Sequence, residues 1–549
     1  MYQQVLDPVG GSLGLTSIFA VLPLLTLFVL LGALRMPAQW ASLISLVVAM
    51  VVALAVYSMP LGQALDAAVW GAAFGLFPIM WIVVNAIWIY RVTVETGHFQ
   101  VLRRSFATIS DDQRIQAIIV AFCFGALIEA LAGFGTPVAI TSVMLIALGL
   151  KPLKAAAVAL VANTAPVAFG AIATPILTLG EVTKISPDTL GALVGRQTPV
   201  LALIVPLILV GMVDGARGIR QTWPAAAVGG LSFAVAQFVA SNYISIELTD
   251  IIAALVSVTA IVLLLRVWRP SEPLLGEPAM PALAGADGYD PALERRHGVR
   301  PGGDSRADVA GAYAPYLMII AVFSIAQIGA VKEALDSVTS EFGWPGIDIE
   351  KPSGDPYDAT FKFNWLAAAG TLLLISGLGT LAVLRVGIGR ALHAYAATLN
   401  QLKWAIVTVA AVLALAFVMN TSGQTVTLGL WLAGAGGIFA FLSVFIGWLG
   451  VAVTGSDTSS NSLFGALQIA AAKDAGLSPA LMAAANSSGG VLGKMISPQN
   501  LAIGAAAVGM AGREGDIFRV VLKWSLLLVV LMAALVYLQS TPVLSWMLP

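Results

Sequence analysis

The sequence predicts an all-α polytopic membrane fold, with about 12 transmembrane helices, two re-entrant hairpins and an inverted-topology repeat built on broken helices. Three observations predict it. Only 10% of the 549 residues are charged and 59% are hydrophobic, whereas soluble domains carry about a quarter charged residues. Apolar stretches of roughly twenty residues, the length that crosses a hydrocarbon core, recur from end to end. Finally, two distant segments repeat one spacing of Asn, Gly and Pro.

Single spans are expected over 15–34, 38–58, 65–90, 189–213, 223–241, 247–265, 312–330, 364–384, 404–420 and 520–540. The first thirteen residues hold no Lys or Arg, unlike the basic start of a cleaved signal peptide, so the first stretch reads as a permanent span. Regions 115–150, 155–178 and 426–508 are apolar but rich in Gly, Pro, Ser, Thr and Asn, and do not read as plain spans. The chain thus divides into an N-terminal membrane repeat over 1–265 (hairpin 115–150, broken helix 155–178), a flexible cytoplasmic loop over 266–309, and a C-terminal membrane repeat over 310–549 (hairpin 426–472, broken helix 479–508). Residues 331–363 are acidic and should form a smaller ordered loop.

Lys and Arg set the orientation, because they are retained on the cytoplasmic side. With the N-terminus outside and each hairpin entering and leaving on one side, only Lys184, Lys332, Lys351, Lys362 and Lys473 remain outside. Both termini are therefore expected outside a cytoplasmic (inner) membrane. Lys+Arg of 28 against Asp+Glu of 29 gives no reason to expect a nucleic-acid partner. Cys123 is the lone cysteine, and His98, His297 and His393 are scattered, so no disulfide and no metal site is expected.

The functional signal is the repeat. Asn163 is followed by Gly170 and Pro175, and Asn486 by Gly493 and Pro498, at the same intervals. Upstream of each lies a Gly-rich knot, Gly133 to Pro137 and Gly455 to Asn461. Gly and Pro break helices and free backbone groups that lipid cannot satisfy, so such breaks belong around a polar cavity. Half-helix N-termini there offer N–H donors to an anion. Transporters with inverted repeats place substrate at such a midplane junction. The plainer reading is that Gly merely lets helices pack closely.

Ionisable groups inside the membrane are functional candidates. Glu129, four residues before Gly133, and Asp457, at the second knot, are the candidate proton-coupling carboxyls. Lys494 is the candidate counter-charge for a substrate carboxylate, with a permanent pair to Asp457 as the plainer reading, and Arg196 is a second candidate counter-charge. Gly135, Thr136, Asn163, Thr164, Ser459, Asn461, Asn486, Ser487 and Ser488 are candidate substrate contacts.

The stretches Gly125 to Pro137, Ala162 to Pro166 and Gly455 to Phe464 resemble signatures of the bacterial L-lactate permease family, within the wider ion-transporter superfamily. That resemblance implies uptake of L-lactate, with D-lactate and glycolate, together with a proton. It also implies paired hairpins tipped by Ser-Asn-Thr-like motifs and elevator motion. The first tip here, Gly-Phe-Gly-Thr-Pro, departs from that motif, which argues against a sodium site in the first half. The expected partners are a small carboxylate and the lipid bilayer; oligomeric state stays open. No cofactor and no enzymatic activity are expected, and the coupling ion is a proton. A sodium-coupled carrier of another organic acid, such as a dicarboxylate, is the alternative, and a channel or intramembrane enzyme a third reading.

Overall fold

Apolar runs flanked by Gly, Pro and charged turns fold into packed helices in the computed structural model, which describes residues 2–34, 36–133, 135–275, 304–326, 328–511 and 513–549. Most of the expected loop 266–309 therefore lies outside the described residues. In chain order the helices are α1 (Leu13–Leu31), α2 (Ala38–Ala55), α3 (Leu61–Glu95), α4 (His98–Ala107), α5 (Gln113–Ala132) and α6 (Thr136–Ala147). There follow α7 (Pro152–Ala162), α8 (Val167–Thr183), α9 (Pro187–Tyr243), α10 (Thr249–Val267), α11 (Arg306–Ala326) and α12 (Gly329–Asp336). The last are α13 (Ala369–Val383), α14 (Ile388–Ser422), α15 (Gln424–Ala433), α16 (Gly436–Thr454), α17 (Asp457–Asp474), α18 (Pro479–Gly493), α19 (Pro498–Ala507) and α20 (Glu514–Gln539). Among the described residues ten helices are long and apolar enough to cross a membrane, or eleven with the bent pair α7–α8. The protein is thus an all-α membrane protein, as expected.

Two places reverse the chain inside the apolar mass. After α5, Gly133 and Gly135 take positive φ (32° and 82°), and α6 folds back along α5. After α16, Gly455 (φ 75°) starts the second reversal, and α17 returns along α16. Left-handed backbone is cheap only for glycine, which is why a glycine stands at each of these turning points. Helix α7 ends at Asn163, and α8 leaves its line by 64°.

Glycines also set the tightest packing. Methyls added at Gly447 on α16, or at Gly489 and Gly493 on α18, would lie 1.9 to 2.2 Å from carbonyl oxygens of the facing helix. Here the plainer reading of the glycines holds: Gly493 is a packing residue. Helix α9 breaks at Asp214–Gly215, and its two legs pack together so closely that a methyl at Gly230 would meet the Ala202 carbonyl at 2.8 Å. The short strand β1 (Tyr2–Gln3) pairs in parallel with β3 (Ile349–Glu350), and β2 (Ser340–Gly343) pairs antiparallel with β4 (Thr360–Phe363). The N-terminus and the acidic loop therefore share one face, and that loop is ordered.

Candidate functional site

The structure brings the two halves together on one ion pair. Lys494 Nζ donates to Glu129 Oε1 at 2.7 Å across 365 residues of sequence. Both groups are buried, at 8% and 4% side-chain exposure. Asn163 Nδ2 donates to Glu129 Oε2 at 3.0 Å, so each carboxylate oxygen has a partner from a different broken element. Gly170 lies against the same carboxylate, and a methyl there would sit 2.7 Å from Oε1. The backbone just beyond it is left-handed at Ala171, Ile172 and Ala173, with φ between 44° and 56°. Such conformations cost about 1–3 kcal/mol each and persist where surroundings enforce them, often at binding sites. Lys494 itself starts a 3-10 turn, Lys494–Ile496, between α18 and α19. The plainer reading of Lys494 fails: its partner is Glu129 and not Asp457.

Asp457 anchors a second polar cluster at the start of α17. Its Oδ2 accepts from Ser487 Oγ at 2.6 Å and from Asn461 Nδ2 at 3.4 Å, while Oδ1 has no hydrogen-bond partner among the described residues. Asn486 Nδ2 donates to Asn461 Oδ1 at 2.9 Å, and Gln468 Nε2 to Asn486 Oδ1 at 3.2 Å. Asn461 Nδ2 also donates to the Pro175 carbonyl at 3.1 Å, tying this cluster to α8. A methyl at Gly490 would lie 2.3 Å from Asp457 Oδ1, so this carboxylate too rests on a glycine. Ser488 Oγ and Asn163 Oδ1 are buried without hydrogen-bond partners among the described residues.

The tips meet at α19. A methyl at Gly135 would strike Ile503 at 2.4 Å and approach Asn500 Oδ1 at 3.3 Å, while Asn500 Nδ2 donates to the Gly455 carbonyl at 3.3 Å. Asn500, which the sequence reading passed over, thus touches both tips.

Other expected residues have local duties. Thr164 Oγ1 donates to the Val161 carbonyl at 2.8 Å, Ser459 N is held by Ser456 Oγ, and Thr136 N donates to the Gly133 carbonyl. Arg196 is not at the site: it donates to Asn242 Oδ1 and to the Met547 carbonyl, fastening α9 to the C-terminal segment. Asn486 lies within the continuous α18, whereas Asn163 caps α7; the second break falls instead at Lys494–Ser497. Asp250, in the first turn of α10, was also missed; it is fully buried and coupled electrostatically to Glu129 and Lys494. Its signal was available, an acid at the end of the 247–265 stretch.

Apolar crossings closed around buried, paired charges and interrupted helices define a multi-pass membrane transport protein. The L-lactate permease family model matches residues 16–543, and the chain belongs to that family. It is 44% identical over 98% of both chains to the glycolate permease GlcA of Escherichia coli (strain K12). It is 42% identical to the L-lactate permease of the same organism, with all of both chains covered. Among solved structures, Neisseria gonorrhoeae MtrF, of a class of antimetabolite efflux pumps, aligns with a TM-score of 0.46 at 15% identity, covering 87% of this chain and 83% of that one.

Proposed function

We propose that this protein takes up L-lactate, and with it D-lactate and glycolate, by proton symport across the cytoplasmic membrane, both termini outside. The observation that carries this reading is the buried Lys494–Glu129 pair at the junction of the two broken elements. A monocarboxylate substrate presents the same functional group as the Glu129 side chain. Where it takes Lys494 in place of Glu129, that side chain becomes a buried carboxylate without its cation, an expensive state unless it gains a proton. Substrate and proton are thereby bound together in a one-to-one ratio, and a neutral loaded site can cross a barrier that a charged one cannot. Asn163 Oδ1 and Ser488 Oγ, both unpartnered, are the acceptors and donors left for a substrate hydroxyl and carboxylate.

Uptake of labelled L-lactate and glycolate into proteoliposomes should be stimulated by an inward proton gradient. Lys494→Ala should lower it more than a hundredfold, and Glu129→Gln should abolish gradient-driven accumulation. Normal gradient-driven uptake by Glu129→Gln would refute the assignment. A second reading, sodium coupling with a dicarboxylate, draws on the open Oδ1 of Asp457 among Ser487 and Asn461. Dependence of uptake on sodium and not on pH would decide for it.

A further inference from the structure

The exchange at Lys494 gives no task to Asp250, a buried carboxyl in addition to Asp457. Asp250 has no solvent exposure, its Oδ1 accepts from Gln237 Nε2 at 3.4 Å, and its Oδ2 has no hydrogen-bond partner among the described residues. The charged groups it faces are Glu129 and Lys494. It lies at the start of α10, which packs directly against α5, the helix that carries Glu129. A structural acid at a helix N-terminus would be expected to take up backbone N–H donors, yet none reaches Oδ2.

A polar contact links Asp250 inward to the first break, and the chain itself leads outward from it to a cavity. Inward, Gln237 Nε2 also donates to the Ala165 carbonyl at 3.2 Å, within the first break. Two residues earlier in that break, Asn163 holds Glu129. Outward, Glu247, three residues before Asp250, lines a surface cavity together with Lys332 and Asp336. Glu247 thus stands on a cavity wall, Asp250 three residues along the chain from it, and Glu129 on the helix against which α10 packs.

We propose that Asp250 is the relay carboxyl through which the coupling proton passes between the Glu247 cavity and Glu129. This rests on the proton-symport reading above. When a substrate carboxylate takes Lys494, the O–H bond at Asp250 breaks and one forms at Glu129. Asp250 then regains a proton from the cavity. One proton and one monocarboxylate enter together: Asp250, Glu129 and Lys494 sum to zero before binding, and with the bound anion and the added proton the four groups again sum to zero. Asp250 acts through Glu129 and touches no substrate, so it is a positioning and relay residue.

The test separates net from exchange transport in proteoliposomes holding the full chain. Exchange of labelled for unlabelled L-lactate at equal pH on both sides needs no net proton movement; gradient-driven uptake does. Asp250→Asn should lower gradient-driven uptake at least tenfold while exchange stays within about threefold of the parent protein. Equal loss of both, or loss of neither, overturns the relay. Should Asp250→Asn fail to reconstitute, Asp250→Glu decides: a displaced pH profile of driven uptake with exchange retained supports the relay, and an unmoved profile overturns it. If the parent protein itself shows no response to a proton gradient, the symport reading fails; if it responds and the variants behave like it, only the relay fails.

Discussion

At the scale of single residues, the carboxylates of Glu129 and Asp457 share a device: each is seated on a glycine that has no side chain to push it away. Gly170→Ala would place a methyl 2.7 Å from Glu129 Oε1, closer than any stable contact, and the carboxylate would have to leave Lys494 or the left-handed turn beyond Gly170 would have to move. Uptake of L-lactate should fall more than tenfold, equivalent to about 1.4 kcal/mol or more. Gly329→Ala, where an added methyl meets nothing within 4 Å, should leave it unchanged. Comparable activity of the two variants would show that the Glu129 seat is immaterial. Glu129, Lys494 and Asp457 were legible in the sequence because ionisable groups in apolar stretches stand out by their cost. The partner of Lys494 was not, since nothing local joins residues 365 apart. Asp250 escaped notice for a related reason: an acid in the first turn of a helix has an ordinary electrostatic explanation, and only its orphaned oxygen argues against that.

At the scale of elements, breaks and reversals were legible from Gly and Pro, but the function of each matched pair was not. Gly170 borders a carboxylate whereas Gly493 packs against the Trp448 carbonyl; identical spacing in sequence did not give identical surroundings. Arg114 shows the converse, a basic residue that charge counting assigns to a loop but that has no exposed surface. It donates to Asp112, Asp214, Gln221 and the Glu272 carbonyl, joining the start of α5 to the break in α9 and to the segment after α10. Burial pushes the Asp112 carboxyl up, but the Arg114 guanidinium and the N–H groups of Leu274 and Arg114 more than offset it and hold it below the usual value of 3.8. A depressed acid stabilises the fold at pH values above its unfolded value and loses that contribution as pH falls through the lower folded value. The detergent-solubilised protein should therefore lose thermal stability on acidification below about pH 4, where the unfolded chain takes up the proton while folded Asp112 does so only at lower pH. Asp112→Asn should destabilise it by about 3–5 kcal/mol at neutral pH, because Arg114 is left buried with a weakened set of acceptors. Its melting temperature should then fall less steeply over that acid range than the parent's. An unchanged melting temperature at neutral pH would remove this network as a structural joint.

At the scale of the whole molecule, the ion pair makes the two halves one thermodynamic unit. Glu129 belongs to the first reversal and Lys494 to the second break, so a ligand that separates them alters the contact between halves and not merely a pocket wall. On the proton-symport proposal, proton and substrate then favour each other's binding by the same factor, since coupling free energies are reciprocal. If one proton accompanies each monocarboxylate, apparent substrate affinity changes tenfold for each pH unit across the range where the proton is taken up, or about 1.4 kcal/mol. The consequence can be read without transport. A ligand that binds only the folded state raises stability by RT ln(1 + [L]/Kd), so saturating L-lactate should raise the melting temperature of the purified protein more at pH 6 than at pH 8. In Glu129→Gln, where a permanent amide replaces the protonated acid, the ligand-induced increment should be the same at both pH values. Lys494→Ala should show no increment at either. A parent protein stabilised equally by lactate at the two pH values would mean that substrate and proton do not compete for Lys494 in the way described, and that the pair is a structural clasp between the halves.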